Sequence, residues 1–387
     1  MRRRNLPRRA APLLCALLLA AGCSSPATTS QAQSTQVSTS TQSAAPTAST
    51  PTQTAADCDA VDGAEFVCGV VNVEQLINID GTRWAVGSSA EGGSATPAPL
   101  YFLNLDTQEA TPLDPAAVTM AQDKAAYPDC PGPADFTNLQ SLGVDYEKVN
   151  GRDTLTVISH GGKLTIQVFD MTLTGSSVPQ LTWIGCVMPP DEHFWPDAVA
   201  TLPDGGMLVT SLFDPVDPNY VAALNSGQPY GMLAEWHANS GWKEVYPNTL
   251  AGPNGVILSK DYNTIYVANW SGKRVTRIDR STGEIANVDL GMLVDNLAWN
   301  QDGTKILAGG QTDTIEQGFA CSGSAAINCN INFAIYEIDP TTMEKKLIIG
   351  PTVLGVMGAG TGALEDGHTI WVTSYRSDRI ARINTPH

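Results

Sequence analysis

The sequence predicts an all-β chain folded as a six-bladed β-propeller, on three observations. One unit, an alternating strand, a tight Asp/Gly/Asn turn and a second, more apolar strand, recurs six times. Its copies begin about 40 to 70 residues apart, too far for a solenoid of short repeats and suited to four-stranded blades around an axis. Long helical periodicity is hard to find anywhere between Cys58 and His387.

The copies, in chain order, are "VEQLINIDGTRWAVGSS", "LGVDYEKVNGRDTLTVISH", "DAVATLPDGGMLVTSL", "NGVILSKDYNTIYVANW", "DNLAWNQDGTKILAGG" and "GALEDGHTIWVTSY". Each supplies the two inner strands of a blade, and segments such as "LTIQVFDM", "RVTRIDR" and "FAIYEIDP" supply outer ones. A two-sheet sandwich is the alternative, but it leaves a repeated hairpin of this kind unexplained.

Ahead of the repeats, "MRRRNLPRRAAPLLCALLLAAGC" joins an Arg-rich start to an apolar run of about a dozen residues, too short to span a bilayer and readable as an export signal. Its Leu19-Ala20-Ala21-Gly22-Cys23 ending resembles the bacterial lipoprotein signal, which implies cleavage before Cys23 and lipidation of that cysteine. Cys15 lacks the small residues before it, and Arg3-Arg4 is a weak twin-arginine hint. From Ser24 to about Ala56 the chain is, apart from Val37, Ser, Thr, Ala, Gln and Pro with no charged residue, a composition that cannot bury enough apolar surface to offset the entropy of ordering. The expected organisation is a signal over 1–22, a lipidated cysteine and tether over 23–57, and the propeller over 58–387. This places a monomer on the bacterial cell envelope, touching the membrane only through its lipid.

The whole chain carries a net charge of −17, and loss of Arg2, Arg3, Arg4, Arg8 and Arg9 with the signal leaves 17 basic against 39 acidic residues, or −22. Such a chain repels phosphate backbones and anionic lipid, so nucleic-acid binding is disfavoured and divalent cations are favoured. Beyond Cys23, six cysteines remain, at 58, 68, 130, 186, 321 and 329. An even number in an exported chain points to disulfides; sequence alone allows about fifteen pairings, with Cys321–Cys329 the clearest local pair. None has the C-x-x-C spacing of a zinc or redox site.

In a propeller the starts of the innermost strands face one another at one end of the central channel. Asp197, Asn254 and Asp295 each lie seven residues before a turn aspartate (Asp204, Asp261 and Asp302), and Glu74 lies six before Asp80. A bulge absorbs the single-residue difference. Four blades therefore aim carboxylate and amide oxygens at one point, where a cation would neutralise an otherwise costly cluster of like charge. An all-oxygen set selects a hard ion: Ca2+ first, Mg2+ or Mn2+ after it. Each residue also has a plain structural reading. Asn254-Gly255 is the commonest type I′ hairpin pair, Asp197 and Asp295 can accept from strand-start amides, and Glu74 can be a solvated edge residue.

"PNGVILSKDYNTIYVANW" followed by "LVDNLAWNQDGTKILAGG" resembles the gluconolactonase and senescence-marker-protein family, and its arylesterase or paraoxonase branch most closely. The resemblance runs from Cys68 to Arg382 and takes in "CGVVNVEQL", "CPGPADF", "SHGG" and "YRSDRIARI". It implies a six-bladed propeller with calcium in the channel and hydrolysis of lactones or esters. Position by position, Glu74 resembles the first-blade glutamate ligand, Asn254 the asparagine of the N-G strand, and Asp295 with Asn296 the aspartate-asparagine pair. The third-blade ligand is usually asparagine; here Pro196 or Asp197 stands in its place, and the register favours Asp197. The paraoxonase-like branch also carries a histidine dyad. His160 in "VISHGG" matches its second member, but the first is Leu142 in "QSLGVD", which cannot accept a proton.

The resemblance implies a metal-polarised carbonyl attacked by water, with His160, His193 or Asp197 as the candidate base. Trp195, Trp270 and Tyr375 are expected to wall a substrate site or to pack between blades. No G-x-S-x-G elbow and no H-E-x-x-H occurs, and "MGAGTGALEDG" leads into a strand rather than a nucleotide-binding helix. The other function class is a propeller that keeps calcium for structure and binds a ligand or partner without catalysis; Leu142 supports it.

Overall fold

A computed structural model describes residues 58–90, 98–175, 177–324 and 326–385. The signal, Cys23 and the tether lie outside the described residues. Strands taken in chain order build six sheets. The third blade places Pro196–Thr201, Met207–Ser211, Met232–His237 and Gly241–Glu244 side by side, and the fourth repeats this with Pro253–Leu258, Thr264–Asn269, Arg274–Asp279 and Ile285–Asp289. The innermost strands, which begin at Leu76, Ser141, Pro196, Pro253, Leu293 and Gly360, touch one another in a closed circuit. The molecule is a six-bladed β-propeller. All six recurring units form the two inner strands of a blade, and the three outer segments become Thr165–Thr172, Arg274–Asp279 and Phe333–Ile338, each the third strand of its sheet.

Side chains alternate across a strand with a period of two, so a blade wedged between two others must be apolar on both faces. In Thr264–Asn269, Ile265 and Val267 pack on the third blade with Ala198 and Leu208. Tyr266 and Ala268 pack on the fifth with Val294 and Ile306. The same happens around the ring, with one apolar cluster between each pair of neighbouring blades.

Ring closure is the feature the repeats do not announce. Ala64–Cys68 pairs antiparallel with Arg379–Asn384, from Ala64 opposite Ile383 to Cys68 opposite Arg379, so the start of the described chain supplies the outermost strand of the last blade. Arg382 and Glu65 bridge the seam at 2.6 Å, and a Cys58–Cys68 disulfide ties down the closing strand. The other bridges are Cys130–Cys186 and Cys321–Cys329, the latter as its spacing suggested. Three disulfides are the mark of a chain that folds in an oxidising, extracytoplasmic compartment. Two short helices, α1 (Tyr220–Asn225) and α2 (Ile315–Ser322), interrupt the third and fifth blades and touch each other. At six and eight residues they are too short to show helical periodicity.

Removing the chain through Cys68 bares the Arg379–Asn384 edge, and unpaired sheet edges recruit other chains. The truncated domain is expected to self-associate on size-exclusion chromatography and to melt below a domain that starts at Cys58. Identical elution and melting would show that this strand does not close the ring.

Candidate functional site

The innermost strands of blades two to six share one irregularity. Ser141 pairs with Ser159 but Val144 with Val157, and the same three-against-two step occurs between Pro196 and Val199, Pro253 and Val256, Val294 and Leu297, and Gly360 and Ala363. One extra residue against the partner strand is a β-bulge, which bends the strand and re-aims a side chain. The skipped pairs are Leu142-Gly143, Asp197-Ala198, Asn254-Gly255, Asp295-Asn296 and Thr361-Gly362.

The Asn-Gly dipeptide therefore has two uses in this chain. Asn150-Gly151, with φ of 49° and 80°, makes the tight hairpin of the second blade. Asn254-Gly255 lies inside a strand, and neither residue has a positive φ. Gly255 is required for a different reason: a Cβ there would lie 2.6 Å from the Asp295 carbonyl oxygen, and one on Gly143 would lie 2.6 Å from the Cα of Ala198. Neighbouring bulges thus meet backbone to backbone, which draws the side chains before them together at one end of the channel.

They open into a cavity of about 550 Å³. Leu142, Asp197, Asn254 and Asp295 come to it from the bulges, and Glu74 from the approach to the first innermost strand. A second tier, His160, Leu212, Trp270, Gln311 and Tyr375, comes from one repeated position at the far end of the second strand in blades two to six. Trp195, Trp270 and Tyr375 all line it, and residues of α1 and α2 cover it.

Glu74, Asp197 and Asp295 are all buried. Desolvation pushes Glu74 up to about 7, against hydrogen bonds from Asn296, Asp295 and Ser88 that pull it down. Burial, then the charge of Glu74, holds Asp197 well above the usual carboxylate range. The same two causes raise Asp295, against the opposing hydrogen bond from Gln311. Two of the carboxylates meet side-chain amides: Asn296 Nδ2 donates to Glu74 Oε1, and Gln311 Nε2 donates to Asp295 Oδ2 at 2.7 Å. Gln311 also donates to the Gly360 carbonyl at 2.9 Å and accepts from Trp270 Nε1 at 3.0 Å, so its orientation is fixed. Asn254 Oδ1, in a residue 6% exposed, has no hydrogen-bond partner. Among the described residues, no three His, Cys, Asp or Glu side chains form a ready metal cage by themselves.

Two expected site residues are placed elsewhere. His193 is exposed, bonds Asp214 through Nδ1 at 2.9 Å, and does not line the cavity. The Asp191–Asp197 stretch turns it outward while Phe194 is buried beneath. Asn296, second in its bulge, stands behind Glu74 and donates to it rather than facing the cavity. His160 does line the cavity, and its Nε2 lies 2.8 Å from the Pro196 carbonyl oxygen. A carbonyl only accepts, so Nε2 carries the proton and Nδ1 the lone pair. Burial lowers its pKa to about 4, which keeps the ring neutral and weakly basic. Gln311, Phe213, Tyr220 and Phe319 were not singled out from sequence. The second-strand position shared with His160 and Trp270 would have found Gln311; the other three sit on insertions that belong to no repeat.

Glu74 titrates near 4.5 when unfolded and near 7 in the cation-free fold. Between these values the folded state holds a proton that the unfolded state has released, so stability is full below the lower value and falls as pH rises through the upper one. Chelator-treated protein is expected to lose on the order of 3 kcal/mol across this window relative to Glu74→Gln. Parallel stability–pH curves for the two, measured by urea unfolding, would contradict the assignment.

No protein-family model matches the chain, and no curated protein matches it in sequence. Solved structures share its architecture at low identity. A gluconolactonase from Xanthomonas campestris is 13% identical, with 86% of this chain and 94% of that one covered, at a TM-score of 0.50. A luciferin-regenerating enzyme is 15% identical over 83% of this chain and 95% of its own, at 0.47. A virginiamycin B lyase from Staphylococcus aureus is 15% identical over 83% and 98%, at 0.45. At these identities the likeness is one of fold.

Proposed function

We propose that the protein is a calcium-dependent hydrolase of lactones or esters, displayed on the cell envelope through a lipid on Cys23, and allied to the gluconolactonase and senescence-marker-protein family on its paraoxonase-like side. The observation that carries this reading is the buried, orphan amide oxygen of Asn254 in a cavity that three carboxylates also line. A buried acceptor without a donor calls for an explanation, and a cation shared with Glu74, Asp197 and Asp295 supplies one. Hard oxygen donors of mixed carboxylate and amide type favour Ca2+ over Mg2+ or Mn2+.

When bound, calcium would supply Lewis-acid polarisation of a substrate carbonyl. The chain's own residues do the rest. Gln311 and Asn296 orient Asp295 and Glu74, so their oxygens are set before substrate arrives. Asp197, whose carboxylate faces the cavity, takes the proton of the attacking water. His160, neutral with its lone pair on Nδ1, is the weaker base.

Leu142 favours the second reading, a calcium-stabilised propeller that binds without catalysis, because it lines the same cavity as His160 at the position where a histidine would complete a dyad. Turnover decides between them. Aliphatic, aromatic and sugar lactones and aryl esters are to be assayed with and without chelator. At least one is expected to be hydrolysed only with calcium, and Asn254→Ala to lose that activity while keeping its fold by circular dichroism. No calcium-dependent turnover on any of them removes the hydrolase reading. In Leu142→His, with a second base in the wall, the rate is expected to rise by up to ~10²-fold; no gain would show that the pocket is not arranged to use one.

A further inference from the structure

The wall of the cavity carries a pattern that hydrolysis of a carbonyl does not require. Six rings follow one another in contact: His160 meets Trp195 at 4.5 Å between centroids, Trp195 meets Phe213 at 5.7 Å, and Phe213 meets Tyr220 at 4.6 Å. Tyr220 then meets Phe319 at 5.6 Å, and Phe319 meets Trp270 at 5.7 Å. All six line the cavity. The arc joins the acidic floor through one hydrogen-bonded chain, from Trp270 Nε1 to Gln311 to Asp295.

Charge in this space has one sign. Glu74, Asp197 and Asp295 line it, and no Lys or Arg does among the described residues. The neighbouring Arg376 donates to the carbonyl oxygens of Cys321 and Ser322 on α2, outside the wall. A single divalent ion on the floor offsets two of three carboxylates and leaves one negative charge facing the rings. Aromatic faces attract cations through their quadrupole, and desolvation strengthens the attraction. Along the rings, away from that ion, a carboxylate or phosphate would find no cationic side chain to pair it.

We propose that the aromatic arc binds a substituted ammonium group, and that the compounds taken by this site are esters or lactones whose acyl or alcohol side carries such a cation. The substrate class rests on the hydrolase reading, whereas the cation site does not. Phe319 and Tyr220 are the residues most specific to this role. They come from the insertions α2 and α1 rather than from the ring, and close the arc between Trp195 and Trp270.

The test compares choline with its uncharged isostere 3,3-dimethylbutan-1-ol, by calorimetry on the exported chain in calcium-saturated and chelator-stripped forms. Choline is expected to bind about 10-fold more tightly than the alcohol in both forms. In Phe319→Leu, which keeps the bulk apolar and removes the ring, that preference is expected to fall towards unity while the alcohol binds as before. Trp195→Leu gives an independent measurement should Phe319→Leu fail to fold. Equal binding of the two probes, tighter binding of the alcohol, or a preference that vanishes when calcium is saturating overturns the inference. Binding needs no turnover, so the two claims fail separately. A cation preference in a protein that hydrolyses nothing removes the hydrolase and keeps the site. Lactone turnover without a cation preference does the reverse.

Discussion

Three buried carboxylates held at one end of a closed ring are the constraint on which this molecule turns. Each is desolvated, and the charge of Glu74 raises the proton affinity of both Asp197 and Asp295, an arrangement that burial alone would drive towards protonation. The chain counters it with amides at Asn296 and Gln311, yet leaves the Asn254 oxygen unpartnered. Such a cluster costs stability relative to apolar side chains of similar volume, and in the proposed reading a bound cation offsets that cost.

The backbone enforces the cluster. A bulge at the same place in five innermost strands turns one residue of each towards the axis, and glycine or alanine beside it in the second to fourth blades lets the next strand approach. The apolar faces between blades fix how the sheets stand against one another, and the seam at Ala64–Cys68 keeps the ring from opening. Site and fold therefore share one cause. In the third, fourth and fifth blades the bulge that costs a ladder position also places the oxygen.

Much of this was legible because it repeats. Asp197, Asn254 and Asp295 stand at one distance from a turn aspartate, and that count is the bulge register seen in one dimension. What does not repeat was hidden. The closing strand Ala64–Cys68 pairs with residues more than three hundred positions away, and no local pattern encodes such a partner. Helices α1 and α2 are single insertions, so the rings they add at Tyr220 and Phe319 had no equivalent to be compared with. His193 misled through proximity: it stands four residues before Asp197, but buried Phe194 and the Asp214 partner fix it on the outer side of the loop. Asn296 misled through adjacency, since the two residues of a bulge face different ways.

Whether one cation is shared by several blades is the central claim, and diffraction tests it most directly. In a crystal of the propeller grown with calcium, an anomalous difference map is predicted to show a single peak at about 2.3–2.6 Å from oxygens of Glu74, Asp197, Asn254 and Asp295. A map with no peak there, or with these side chains too far apart to reach a common atom, would contradict it.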